Sequence, residues 1–171
     1  MIASIEKMAA FGKLRNRPRW LERSYQFAEK VFKQLDPVIR KIGYRRVDGW
    51  MRFPERVSKQ AVFDCEMCGQ CTLHFTGMTC PMTCPKNLRN GPCGGVRVDK
   101  HCEVEPDMKC VWVEAYERAV KMEVYGDGIH NIQQPLNRRL SGQSAFVNIL
   151  RSEGGDMPVV WTLTIETRHD Q

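Results

Sequence analysis

The residues best equipped for chemistry in this chain are its eight cysteines, Cys65, Cys68, Cys71, Cys80, Cys84, Cys93, Cys102 and Cys110. All lie within 46 of the 171 positions, spaced C-x2-C-x2-C-x8-C-x3-C-x8-C-x8-C-x7-C. Three chemistries compete for such a set. Structural disulfides belong to oxidising compartments, and the N-terminus MIASIEKMAAFGKLRNRPRW shows no signal-peptide pattern. Zinc takes four thiolates in a tetrahedron, and the tight pairs at Cys65, Cys68 and Cys71 match a zinc knuckle, so eight cysteines suit two ions. Iron–sulfur chemistry uses three cysteines three apart plus a fourth from farther along, as the run Cys65-x2-Cys68-x2-Cys71 offers, and eight thiolates suit two [4Fe–4S] clusters. The three-cysteine run favours iron–sulfur, because a mononuclear zinc site takes only two ligands from so tight a run; zinc stays the alternative.

The neighbours of the cysteines fit a metal-binding segment. Pro81 and Pro85 follow Cys80 and Cys84 and stiffen those turns. Gly69, Gly91, Gly94 and Gly95 let backbone approach closely and turn N–H groups towards sulfur. Lys86, Arg89 and Arg97 lie beside ligand positions, where they offset thiolate charge, meet an acidic partner, or stay solvated. His74 and His101 sit among the cysteines as substitute ligands, but a full thiolate set leaves them as surface or hydrogen-bonding residues. His130 and His169 are isolated.

The elements that must position this segment read as follows. Residues 1–46 have a helical pattern, with Trp20, Tyr25, Phe27, Ala28, Val31, Phe32 and Leu35 near a 3.6-residue period. Pro18 opens the helix, and Pro37 is expected to break it from a second, Val38 to Ile42, ending at Gly43. Residues 47–62 read as a linker. Residues 111–124 return to a helical pattern, with Trp112, Ala115, Tyr116, Ala119 and Val120 as the buried stripe and Gly126 as the stop. Ser144 to Leu150 suits one or two helical turns, and 158–167 suits a short strand. The expected fold class is a small α plus irregular cysteine-rich metal-cluster domain, with an N-terminal helical arm, ferredoxin-like ligand loops, one helix after the last cysteine and an extended C-terminal tail. The expected units are a basic helical arm for partner docking (1–60), the cluster domain (61–125) and a mostly irregular extension (126–171).

Charge divides along the same line. Residues 1–60 hold 15 Lys/Arg against 6 Asp/Glu, whereas the remainder is net −3. No helix-turn-helix, RNP or zinc-finger pattern accompanies the basic arm, so nucleic acid is not the expected partner. No run of eighteen apolar residues exists to span a membrane. The expected location is the cytoplasm.

The block from Cys65 to Arg118 contains CEMCGQC, CPMTCPKNLRNGPCGG, CEVEP and CVWVEAYER. These elements resemble the methylenetetrahydrofolate reductase C-terminal family, a cysteine-rich domain found beside, or fused to, a flavin-containing reductase. PLNRRLSGQSAFVNIL is similar to the family's C-terminal extension. VRVDK at 96–100 departs from the pattern, which leads one to expect a second glycine before Cys102.

The resemblance implies a partner subunit with a (β/α)8 barrel that binds FMN or FAD and the folate. Such a barrel needs about 250 residues, so this chain is expected to perform no folate chemistry alone. The implied role is an iron–sulfur electron-transfer subunit that relays electrons to that flavin, with a further electron-donor subunit as an additional partner. The alternative is a structural zinc module that docks and stabilises the reductase without a redox role.

Overall fold

The structure is a computed structural model, and it describes residues 16–153. The expected strand at 158–167 and the first fifteen residues lie outside the described residues. Among the described residues there are four α-helices and no strand: α1 Pro18–Ile42, α2 Tyr44–Phe63, α3 Val111–Ala119 and α4 Ala145–Glu153. Short 3-10 turns occur at Pro81–Thr83, Gly126–His130 and Arg138–Leu140.

Helix α1 begins with Pro18 in its first turn, where the missing N–H costs nothing. It runs through Pro37 without ending, contrary to the break expected there. An interior proline costs about 3 kcal/mol. Packing on both sides offsets it: Phe32 and Ile39 lie in one cluster with Val47, Val147 and Leu150. Gly43, at φ +96, then ends the helix as expected.

Residues 47–62 are not a linker; they lie inside helix α2. The sequence hides this helix because its inward face is polar. Asp48, Glu55 and Lys59 are all buried, spaced seven and four residues apart on one face. An apolar-periodicity test cannot register such a stripe.

Two apolar clusters organise the molecule. Leu21, Leu73, Met78, Cys80 and Met122 join α1 to the cysteine segment, with Tyr25, Val62, Phe63 and Tyr125 packed against them. The second cluster ties α1, α2 and α4 together. Glu22 buries its carboxylate and accepts backbone N–H bonds from Glu123, Val124 and Tyr125 at 2.8–2.9 Å. It thereby fastens the chain after α3 to α1.

Helix α3 stops at Ala119, earlier than the expected 124. Trp112, Ala115 and Ala119 are buried as expected, but Tyr116 and Val120 are 53% and 70% exposed. The stripe is narrower because Gly77 packs directly on α3, where a Cβ would lie 2.2 Å from the Ala115 carbonyl oxygen. Gly126 is not a helix stop; it opens a 3-10 turn. Two helices follow the last cysteine, not one. Ser144 caps α4, its Oγ accepting from the Val147 N–H at 3.3 Å.

Candidate metal centre

Four cysteines, Cys65, Cys68, Cys71 and Cys80, line one small cavity at the C-terminal end of α2. Its wall also contains Glu55, Lys59, Thr72, Met82 and Arg89. The loop that carries the first three is forced into shape by α2's end. Asp64 and Met67 both adopt positive φ, and Gly69 does so at φ +76. The Gly69 position admits no side chain, since a Cβ would stand 2.1 Å from the Leu140 carbonyl oxygen.

Backbone N–H groups point at the sulfurs. Met67 N lies 3.4 Å from Cys65 Sγ. Interaction with the Cys65 thiol, with the backbone N–H groups of Glu66, Met82 and Thr83 assisting, holds the Cys80 thiol below its ordinary value against the opposing effect of burial. Burial pushes the Cys71 thiol up, opposed by the Lys59 ammonium. Arg89 sends Nη1 to Cys68 Sγ at 3.8 Å and Nη2 to the Gln70 carbonyl at 3.2 Å. Of the three cations singled out in the sequence, Arg89 thus reaches the cavity, while Lys86 pairs with Glu103.

Residues 137–148 form a strap across the cysteine loop. The Asn137 N–H donates to Gln70 Oε1 at 2.6 Å, and the Gly142 N–H donates to the Met67 carbonyl at 2.7 Å. Asn148 Nδ2 donates to the Gly69 carbonyl at 3.0 Å. Gly69 and Gln70, the middle of CGQC, are therefore the strap's anchor points. Sequence reasoning missed this strap and the Glu55–Lys59 pair behind it; only the four-residue Glu-to-Lys spacing was there to find it.

The other four cysteines do not line this cavity. Cys93 Sγ lies 3.5 Å from Glu103 Oε1. An antiparallel bridge pairs His101 with Lys109, and Cys102 and Cys110 flank it on opposite sides, with Cys102 N–H on the Met108 carbonyl and Cys110 N–H on the Lys100 carbonyl, both at 2.9 Å. Val104 N–H donates to Cys102 Sγ at 3.4 Å. Cys110 is buried with Trp112 and Ala115. Where the pattern led one to expect glycine, Lys100 itself takes φ +68. Glu117 receives both Lys100 and Lys109, at 2.9 and 2.7 Å, and bolts this bridge to α3.

Neither histidine within the segment approaches a sulfur by any bond described. His101 turns to Asp99, its Nδ1 3.1 Å from the Asp99 carbonyl oxygen. His74 stacks on Tyr25 at 5.0 Å between ring centres, and its buried Nδ1 has no partner. All eight cysteines are free thiols. Among the described residues, no three His, Cys, Asp or Glu side chains converge on a single metal-ion position.

The wall of the first cavity carries polar atoms that a bound group with acceptors of its own would satisfy. Thr72 Oγ1 and Arg89 Nε, both buried on its wall, have no hydrogen-bond partner among the described residues. Buried donors without partners cost about 1–3 kcal/mol each. The sulfides of an iron–sulfur cluster are acceptors for such donors, whereas a zinc ion offers none.

The profile of the family described as "Methylene-tetrahydrofolate reductase C terminal" matches residues 44–139, more than half of the chain. The chain belongs to this family. No curated protein and no solved structure matches it. The family's stretch of this chain begins at the first residue of α2, takes in Glu55, Lys59 and all eight cysteines, and ends within the strap at Arg139. Among the described residues, no helix is long and apolar enough to cross a membrane.

Proposed function

We propose that the chain is the iron–sulfur electron-transfer subunit of a methylenetetrahydrofolate reductase, relaying electrons to the flavin of a (β/α)8 catalytic subunit. The observation that carries this reading is the four-cysteine cavity whose buried Thr72 hydroxyl and Arg89 Nε lack partners among the described residues. Cys65, Cys68, Cys71 and Cys80 would hold one [4Fe–4S] cluster, and Cys84, Cys93, Cys102 and Cys110 the second. A bound cluster supplies one-electron transfer, and two such transfers complete the reduction of a flavin.

The chain's own residues have distinct tasks. The thiolates ligate, the N–H groups of Met67 and Val104 lower the charge density on sulfur, and Arg89 offsets charge at Cys68. Gln143 and Ala145 of the strap line the first cavity and would shield a group held there from water. The exposed apolar residues of α1 and α2, Trp20, Phe27, Trp50 and Phe53, would meet the catalytic subunit, in keeping with the surplus of basic charge on this arm.

The test is to mix chemically reduced chain with the oxidised flavin subunit and follow flavin absorbance in a stopped-flow cell. Rapid bleaching that is lost in Cys68→Ala supports the relay. Complex formation without bleaching, by a chain that carries zinc, replaces it with the structural-module reading.

A further inference from the structure

The buried charged pair in the wall of the first cavity joins α2 to the N-terminus of α4. Lys59 is 7% exposed and lies 2.6 Å from Glu55 Oε1, with its Nζ 4.3 Å above the Phe146 ring. A buried ion pair seldom stabilises more than an apolar pair of the same size. Here, however, Lys59 stands in the wall of a cavity it shares with Cys65 and Cys71. Glu55 lies in the same wall and spends its remaining capacity on the start of α4: Ala145 N–H donates to Oε1 at 3.1 Å, and Ser144 Oγ donates to Oε2. The carboxylate charge is thus drawn towards the positive N-terminus of α4, while the ammonium is left beside the sulfurs.

A fixed cation in a low-dielectric wall favours the more negative, reduced state of a thiolate-bound cluster. We propose that Lys59 is a positioning charge for the four-cysteine cavity: it raises the reduction potential of the cluster held there, and through Glu55 that setting depends on α4 staying docked. This inference rests on the iron–sulfur reading above. It separates Lys59 from Arg89, which meets Cys68 from the opposite side of the sequence and is not tied to α4.

The experiment compares the full wild-type chain, Lys59→Arg and the double variant Glu55→Gln/Lys59→Gln, each loaded anaerobically with iron and sulfide. The double variant carries no unpaired buried charge and is expected to keep wild-type circular dichroism. In an EPR-monitored redox titration its potential for one cluster should shift negative, with the other cluster unmoved and Lys59→Arg close to wild type. Unchanged potentials, or equal shifts of both clusters, overturn the proposal. If wild type takes up zinc and no sulfide, the iron–sulfur reading fails. The Lys59 proposal, which concerns the potential of a cluster, is then overturned with it.

Discussion

Thr72 keeps a hydroxyl inside the cavity wall with no partner among the described residues. If a cluster's sulfide is its partner, Thr72→Val acts with opposite sign on the two forms of the protein. The metal-free chain gains about 1 kcal/mol or stays level, because an unsatisfied buried group is removed. The loaded chain loses about 1 kcal/mol. Denaturant titrations of both forms measure this, and a loss of equal size in each would count against the sulfide contact. His74 makes a second prediction at this scale. Burial holds its imidazole at about 4, below its ordinary 6.5. The folded state thus binds fewer protons than the unfolded between those values. Its contribution is present above about 6.5 and is lost as pH falls towards 4. His74→Phe, which fits the stack on Tyr25, should flatten that limb of the stability curve; an unchanged pH profile would show that other groups produce it. The crowding of the cysteines into one segment was legible because it is a property of the linear spacing itself. Lys59 and Glu55 were not, since nothing in a linear pattern says that a charged pair is inside.

At the scale of elements, the strap and α2 hold the cavity between them. Gly69→Ala meets both a positive φ and the Leu140 carbonyl. It should lift the strap and cost about 2 kcal/mol or more, read as a lowered melting temperature together with faster oxygen damage to the loaded protein. A melt equal to wild type would mean that the strap does not close over the loop. Helix α1 and the burial of Trp112, Ala115 and Ala119 were readable from period and proline placement. Pro37 and α2 were not: tertiary packing by Phe32 and Ile39 overrides the first, and the polar face of Asp48, Glu55 and Lys59 masks the second. Of PLNRRLSGQSAFVNIL, read in the sequence as similar to the family's extension, the family match takes in only residues 135–139. Where the extension lies follows only from the hydrogen bonds of Asn137, Gly142 and Asn148 to the cysteine loop.

Across the whole molecule, the cysteine segment is enclosed on one side by α1, α2 and α4, while large apolar residues on α1 and α2 remain uncovered. Trp50 and Phe53 are 69% and 76% exposed. Buried aromatics dominate interface energies, so Trp50→Glu with Phe53→Glu should weaken binding of the flavin subunit roughly tenfold or more, with the circular dichroism melt unchanged. Equal affinity would place the interface elsewhere. The most direct test of the central claim is iron and acid-labile sulfide content of the anaerobically purified full chain. The account predicts about eight of each per chain, falling by about half in Cys68→Ala. About two zinc ions with no sulfide would contradict it.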